Sequence, residues 1–200
     1  KGWQLVFAAS VVAAFSGYAR PSLAFRSGGD LSAFDAQIRV PFQGARISFE
    51  LAAQVPEDLE PAEIEVSLAR AAAVWTAPAC SNLTLLSAGT TKAAAAPGDG
   101  RNTIQWVNDW KARGFPKESP GLTDVQYEKD KDGNWAIVEA DVYLNDGFTW
   151  TTGIPVDDRK SLTAVLTHEL GHALGLLHPC ELDGSEGAPR CEDAPESADT

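Results

Sequence analysis

All three histidines of the 200-residue chain lie in one stretch near its end, HELGHALGLLH at residues 168–178. Apolar residues recur at helical spacing from Leu162 to Leu174, which predicts a helix that includes the first half of this stretch. His168 and His172 are four residues apart, so they project from one face of that helix and both imidazole rings can reach one ion. Gly175 allows the chain to leave the helix with a positive φ, and the turn brings His178 round as a third ligand.

The three histidines and the glutamate among them have the composition of a catalytic zinc site. Three neutral imidazole nitrogens suit zinc and leave a fourth position for water, whose pKa the metal lowers. Glu169 directly follows the first histidine, so it is placed to take the proton of that water and pass it to a leaving amine. We therefore predict that His168, His172 and His178 bind zinc and that Glu169 is the general base. A purely structural zinc site is the alternative, although such a site usually closes the fourth position with a protein ligand.

The order of the predicted elements is strand, helix, several strands, helix, which indicates an α/β (α+β) protein with helices packed on a sheet. Ile47, Phe49 and Leu51 alternate with polar residues and predict the first strand. Pro61 stands where the first helix would begin. Further strands are predicted at residues 83–87, 103–107, 122–128 and 135–144.

Three connections between these elements carry recognisable signals. The Asp132-Gly133 pair predicts a hairpin between the last two strands. Residues 90–100 are rich in alanine, glycine and proline and predict a loop. Asp157 or Asp158 is the predicted N-cap of the final helix.

The beginning of the chain has the pattern of a secretory signal peptide. Residues 2–19 carry no charge, they follow Lys1, and small residues precede a predicted cleavage point after residue 24. A membrane anchor is the alternative, because 18 uncharged residues approach spanning length. We therefore predict a secreted protein with a signal peptide at residues 1–24 and a linker or short pro-segment at residues 25–44.

The end of the chain is strongly acidic. Residues 179–200 contain seven acidic residues against one arginine, together with several glycines and prolines, and we predict an acidic loop. Cys180 and Cys191 bracket this loop at a separation that a disulfide can close, which fits an oxidising compartment. Cys80 is left over and has no predicted partner.

The overall charge argues against two classes of main partner. The chain has 16 basic and 28 acidic side chains, a formal net charge of −12. Nucleic acids and anionic membranes both require a basic face. We therefore predict no nucleic-acid partner and no anionic membrane surface as the main partner.

The stretch HELGHALGLLH resembles the long zinc signature H-E-x-x-H-x-x-G-x-x-H of the metzincin metallopeptidases, with which it agrees at all five defining positions. Within that clan the chain looks most like the matrixins, peptidase family M10. The proline that follows His178 is instead similar to the serralysin branch. The order of the predicted elements also agrees with the metzincins, so the resemblance extends over residues 45–178.

The resemblance implies a catalytic domain at residues 45–178 with a twisted, mixed five-stranded sheet and two helices, the second of which carries the zinc motif. It implies a secreted endopeptidase with one catalytic zinc, a protein or peptide substrate, and no stable membrane insertion after signal cleavage. An extended substrate would pair with an edge strand at residues 121–127. Calcium is a further candidate ion, with Asp141, Asn145 and Asp146 as candidate ligands. Nothing in the sequence indicates an oligomeric state.

Three features of the family pattern are absent. Metzincins place a Met-turn after the third histidine, whereas this sequence contains no methionine and ends 22 residues after His178. We therefore expect the C-terminal subdomain to be largely missing from residues 1–200. Animal matrixins hold a structural zinc through other histidines, and their pro-segment blocks the metal with a cysteine. This sequence has no further histidine and no cysteine between residues 1 and 79.

Two other functions remain open on the sequence. The first is a non-catalytic, zinc-dependent binding or adhesion module on the same fold, which chelator-sensitive peptide cleavage would exclude. The second is a structural or interaction protein whose acidic tail binds cations. One tightly bound zinc per chain would count against that second function.

Overall fold

The computed structural model of the chain describes residues 26–27, 44–79, 82–178 and 190. Its elements in chain order are β1 (Arg26–Ser27), β2 (Arg46–Ala52), α1 (Pro61–Thr76), β3 (Thr84–Thr91), β4 (Thr103–Val107), β5 (Gly121–Lys129), β6 (Trp135–Asn145), β7 (Trp150–Thr151), β8 (Lys160–Ser161), α2 (Leu162–Ala173) and β9 (Leu176–Leu177). These elements belong to two compact units. The larger unit consists of Phe42–Tyr127 and Ile137–Ala173, and the smaller unit holds the other described residues.

The larger unit is built on a five-stranded sheet with the strand order β3-β2-β4-β6-β5. Strand β2 is parallel to both β3 and β4, and β4 is parallel to β6. A tight turn joins β5 to β6, in which the main-chain N–H of Gly133 donates to the carbonyl of Asp130 at 3.0 Å. Such a short connection joins antiparallel neighbours, so the predicted hairpin forms and the sheet is mixed. The predicted fold class is confirmed.

The apolar alternation of β2 becomes its buried face. Ile47, Phe49 and Leu51 are each at most 2% exposed. Strand β3 extends further than the sequence predicted, because the pairing register shifts between Phe49 and Leu51 and brings Leu51 opposite Thr90. Residues 90–91, predicted as loop, therefore belong to the strand.

Helix α1 begins at Pro61 as predicted, since the missing N–H of proline costs no hydrogen bond at the first helical position. Ile64 and Leu68 face the core and are 1% and 3% exposed. Near the end of the helix, the indole Nε1 of Trp75 donates a 2.9 Å hydrogen bond to the carbonyl oxygen of Thr167. This bond joins α1 to α2, the helix that carries His168 and His172.

Helix α2 begins at Leu162, so the prediction that Asp157 or Asp158 caps it is wrong. The chain just before the helix is extended, because β8 pairs with β7. Ser161 takes the capping role, and its Oγ accepts a hydrogen bond from the N–H of Ala164 at 3.3 Å. Asp157 instead occupies a turn with a φ of 54°.

In the smaller unit, β1 pairs antiparallel with β9 and places Arg26 opposite Leu177. Two residues of the predicted linker at 25–44 are therefore strand. Lys129 and Trp135 flank the hairpin turn, where the ammonium lies 5.1 Å from the indole ring centroid.

Several predictions concern residues outside the described part of the chain. They are the signal peptide at residues 1–24, Cys80, and all of the acidic loop except residue 190, including Cys180 and Cys191. Within the described ranges, no helix has the length and apolar character needed to cross a membrane.

Candidate metal centre

Two histidines one turn apart on α2 form the first part of the candidate site. The Nε2 atoms of His168 and His172 lie 3.0 Å apart, and the two rings are nearly perpendicular at 86°. Two nitrogens bound to one tetrahedral zinc at about 2.0–2.1 Å would be roughly 3.3 Å apart. The spacing of the Nε2 pair is therefore close to the spacing that zinc requires. Leu166 and Leu170 anchor the opposite side of the helix in the core, at 1% and 0% exposed.

His178 follows α2 after a turn at Gly175, whose φ of 88° is the left-handed conformation that the sequence predicted. Each of the three histidines offers one ring nitrogen, and these atoms lie within 4.8 Å of one another. Among the histidines and acidic residues that the structure describes, no other group of three or more is arranged in this way. Three neutral imidazole nitrogens form a donor set that fits zinc.

Glu169 is 4% exposed and contacts β5. The hydroxyl of Thr123 donates a hydrogen bond of 2.7 Å to Glu169 Oε2 and lies 3.1 Å from the main-chain oxygen of the same glutamate. Burial raises the pKa of Glu169 to about 7 because it disfavours the charged carboxylate, while the hydrogen bond from Thr123 lowers the pKa. A carboxyl group with such a pKa can accept and release protons near neutral pH.

Glycine at position 121 leaves the space that the Glu169 carboxyl occupies. A Cβ added to Gly121 would lie 2.5 Å from Glu169 Oε1 and 2.9 Å from both Cδ and Cγ. Gly121 does not have a positive φ. Its missing side chain therefore serves the close approach of β5 to α2 and not a turn of the backbone.

Strand β5 lies at one end of the sheet order and has β6 as its single neighbour there. The prediction of an edge strand at residues 121–127 is confirmed. Because Gly121 and Thr123 both approach Glu169, this edge runs directly beside the buried carboxyl. An unpaired strand edge is the feature to which an extended peptide can add by main-chain hydrogen bonds.

Gly121 and Thr123 are functional candidates that the sequence reasoning did not identify. Thr123 precedes Glu169 by 46 residues, so no local motif connects them. The strand prediction included Thr123, but it could not tell which buried group this side chain faces. A glycine at the start of a predicted strand, which often marks a close backbone approach, is the one signal that was available.

The candidate calcium ligands make contacts within the protein. Asp141 is 1% exposed, and its Oδ1 accepts the main-chain N–H of Thr103 at 2.9 Å. Asn145 accepts a hydrogen bond from the N–H of Gly147 through Oδ1 and donates through Nδ2 to the carbonyl of Ser119. In the described part of the chain, no three carboxylates gather as closely as the three histidines do. Calcium binding therefore stays a prediction.

A family model matches the greater part of the chain. The model is that of the matrixins, peptidase family M10, and it matches residues 41–183. This range includes all five strands of the large sheet, both helices and the HELGHALGLLH stretch. No curated protein matches the chain at a significant level.

Proposed function

The chain belongs to the matrixin family, and from this premise we propose that it is a secreted zinc-dependent endopeptidase. Family membership supports a metallopeptidase that acts on a protein substrate and binds zinc. For this chain, the proposal is carried by the three histidine ring nitrogens within 4.8 Å of one another. We propose His168, His172 and His178 as the zinc ligands and Glu169 as the catalytic residue.

The proposed chemistry is hydrolysis of a peptide bond. Bound zinc would polarise the scissile carbonyl and lower the pKa of water at the site. Glu169 then takes a proton from the attacking water and delivers it to the leaving amine. Its burial beside Thr123 supports this role, because the carboxyl is held in one place and is shielded from bulk water.

The substrate is proposed to bind as an extended segment along β5, the strand at the end of the described sheet order. Main-chain hydrogen bonds to this edge would set the direction of the peptide, and one side chain would point to a pocket beside the metal. The closeness of Gly121 to Glu169 supports this placement, because it puts the edge strand next to the catalytic carboxyl.

We propose the following organisation for the chain as a whole. A signal peptide at residues 1–24 precedes a linker or short pro-segment at residues 25–44. The catalytic domain covers residues 45–178, and residues 179–200 form an acidic loop. The uncharged run behind Lys1 and the secretion that is typical of matrixins support this organisation.

Calcium is proposed as a second ion, with Asp141, Asn145 and Asp146 as candidate ligands. The test is the thermal unfolding midpoint in calcium and in an equal concentration of magnesium. A calcium-specific increase supports the proposal, and equal midpoints in the two ions would remove it.

The proposed function is tested by hydrolysis of a quenched peptide with the zinc-loaded chain. The wild type should cleave the peptide, and Glu169→Gln should retain zinc but lose cleavage. Glu57→Gln, the same change at an exposed position, is the matched control and should cleave normally. A chain that binds zinc without cleaving any peptide would instead be a binding module, and cleavage by Glu169→Gln at the wild-type rate would remove Glu169 from the mechanism.

A further inference from the structure

Strand β5 and helix α2 meet at a partly buried contact between the Thr123 hydroxyl and the Glu169 carboxyl. The distance of 2.7 Å between Oγ1 and Oε2 is typical of a strong O–H···O hydrogen bond. Glu169 is 4% exposed, so bulk water cannot readily replace this donor. Burying a carboxylate without a hydrogen-bond donor costs free energy. The hydrogen bond to Thr123 therefore holds the carboxyl in this position.

The Thr123 hydroxyl can donate its one hydrogen to either of two oxygens of Glu169. The main-chain oxygen of Glu169 is the more distant, at 3.1 Å, and within a helix it accepts from the N–H four residues further along. The carboxylate oxygen Oε2 is therefore the better acceptor. Both the side chain and the main chain of Glu169 are thus held against the same atom of β5.

Gly121 restricts the position of the second carboxyl oxygen of Glu169, Oε1. The position of an added Cβ lies only 2.5 Å from Oε1, so Oε1 lies directly against the backbone of the edge strand. With Oε2 bonded to Thr123, Oε1 is the oxygen that lies against Gly121.

We propose that Thr123 is a positioning residue for Glu169, which holds the carboxyl through Oε2 so that Glu169 can transfer protons at the bound peptide. This inference rests on the proposed function, because it requires Glu169 to be the group that moves the proton. In this proposal the Thr123 hydroxyl does not contact the peptide. Its effect on the reaction is exerted entirely through Glu169.

The kinetic test compares Thr123→Val, which removes the hydroxyl at nearly constant volume, with Thr123→Ser, which retains it. Loss of a hydrogen bond to a charged group should lower kcat by about ten- to a hundredfold in Thr123→Val. KM should change much less, since the substrate does not touch this hydroxyl. Thr123→Ser should recover most of kcat. The matched control is Thr90→Val on β3, at the opposite end of the sheet, which should leave both constants unchanged.

A second measurement needs neither metal nor activity. Urea unfolding of the zinc-free protein is compared for the wild type, Thr123→Val, Glu169→Ala and the double variant. Thr123→Val should lower the urea midpoint in the wild-type background and have little effect in the Glu169→Ala background, where the carboxyl is gone. Equal shifts in the two backgrounds would mean that the hydroxyl does not hold Glu169, and the proposal would be overturned.

The two measurements separate failure of this inference from failure of the proposed function. If the wild type cleaves peptide and Glu169→Gln does not, a wild-type kcat in Thr123→Val overturns the positioning role alone. A serine variant as slow as the valine variant also overturns it, because the hydroxyl would then not be the group that matters. If the wild type cleaves nothing, the proposed function fails and the catalytic role of Thr123 fails with it.

Discussion

Thr123 Oγ1 and Glu169 Oε2 lie 2.7 Å apart, although 46 positions separate the two residues in the chain. The contact joins the edge strand β5 to the helix that carries His168 and His172. A change at Thr123 therefore alters the hydrogen bond to the Glu169 carboxyl and leaves the identity of both histidines unchanged. This separation makes it possible to test the proposed base and the proposed metal ligands independently.

The change Gly121→Ala is expected to displace the Glu169 carboxyl. The new methyl group would lie 2.5 Å from Oε1 and 2.9 Å from Cδ and Cγ, so the whole end of the side chain must move. We expect peptide hydrolysis to fall at least about tenfold and stability to fall by about 1–3 kcal/mol through overpacking. Zinc binding should persist, because the three atoms nearest to the new methyl group all belong to Glu169. Hydrolysis rates and zinc content of the purified variant check both expectations.

Gly153→Ala is the matched control for this change. Gly153 also lacks a positive φ, and an added Cβ there meets only Thr151 Oγ1 at the ordinary distance of 3.7 Å. The control should keep full activity. If Gly121→Ala is as active as Gly153→Ala, peptide hydrolysis does not depend on the close approach of β5 to Glu169.

Glu139 is expected to stabilise the loop at residues 92–100. It is 3% exposed, and its two carboxylate oxygens accept hydrogen bonds from the main-chain N–H groups of Gly98 and Gly100. Glu139→Gln leaves one of these N–H groups without an acceptor, which should lower the free energy of unfolding by about 1–3 kcal/mol. Urea unfolding measures the loss, and faster amide exchange at Gly98 and Gly100 locates it. Glu128→Gln at an exposed position of β5 is the control. An equal loss of stability in both variants would show that the hydrogen bonds of Glu139 do not stabilise the loop.

Local patterns predicted much of the fold and the histidine spacing. The alternation of Ile47, Phe49 and Leu51 and the proline at the start of α1 are local signals, and both elements form as predicted. The positive φ of Gly175 was likewise predicted from its place after the helical pattern. Signals of this kind depend only on neighbours in the chain.

Contacts between distant segments could not be predicted in this way. Glu139 lies in a strand that was predicted from alternating residues, yet it is buried because a loop some 40 residues earlier covers it. Ser161 caps α2 in place of an earlier aspartate because β8 pairs with β7 and keeps the chain extended. The approach of Gly121 and Thr123 to Glu169 depends on how the sheet packs on the helix. No spacing within the motif carries that information.

Asp141 is expected to make stability depend on pH. Burial raises its pKa from 3.8 to about 6, the N–H of Thr103 opposes the shift, and the charges of Glu139, Asp99 and Asp124 add to it. A carboxyl whose pKa rises on folding contributes stability that is fully present below pH 3.8 and is lost as the pH rises through about 6.

The test compares the free energy of unfolding of the wild type and Asp141→Asn across this pH range. The wild type should lose stability relative to the variant by up to about 1.4 kcal/mol per pH unit between the two pKa values. Taking the difference between the two curves removes the contribution of groups that do not interact with Asp141. Asp58→Asn, at an exposed position, should follow the wild-type curve. Parallel curves for the wild type and Asp141→Asn would contradict the expectation.

Returning zinc to the chelated protein while peptide hydrolysis is recorded tests whether the three histidines form the zinc site of a peptidase. We expect chelation to abolish hydrolysis and activity then to rise linearly with added zinc until one ion is bound per chain. His172→Ala, which removes one proposed ligand, should neither bind zinc tightly nor regain activity. Hydrolysis that survives complete removal of zinc, or zinc bound at one ion per chain with no hydrolysis, would contradict the account.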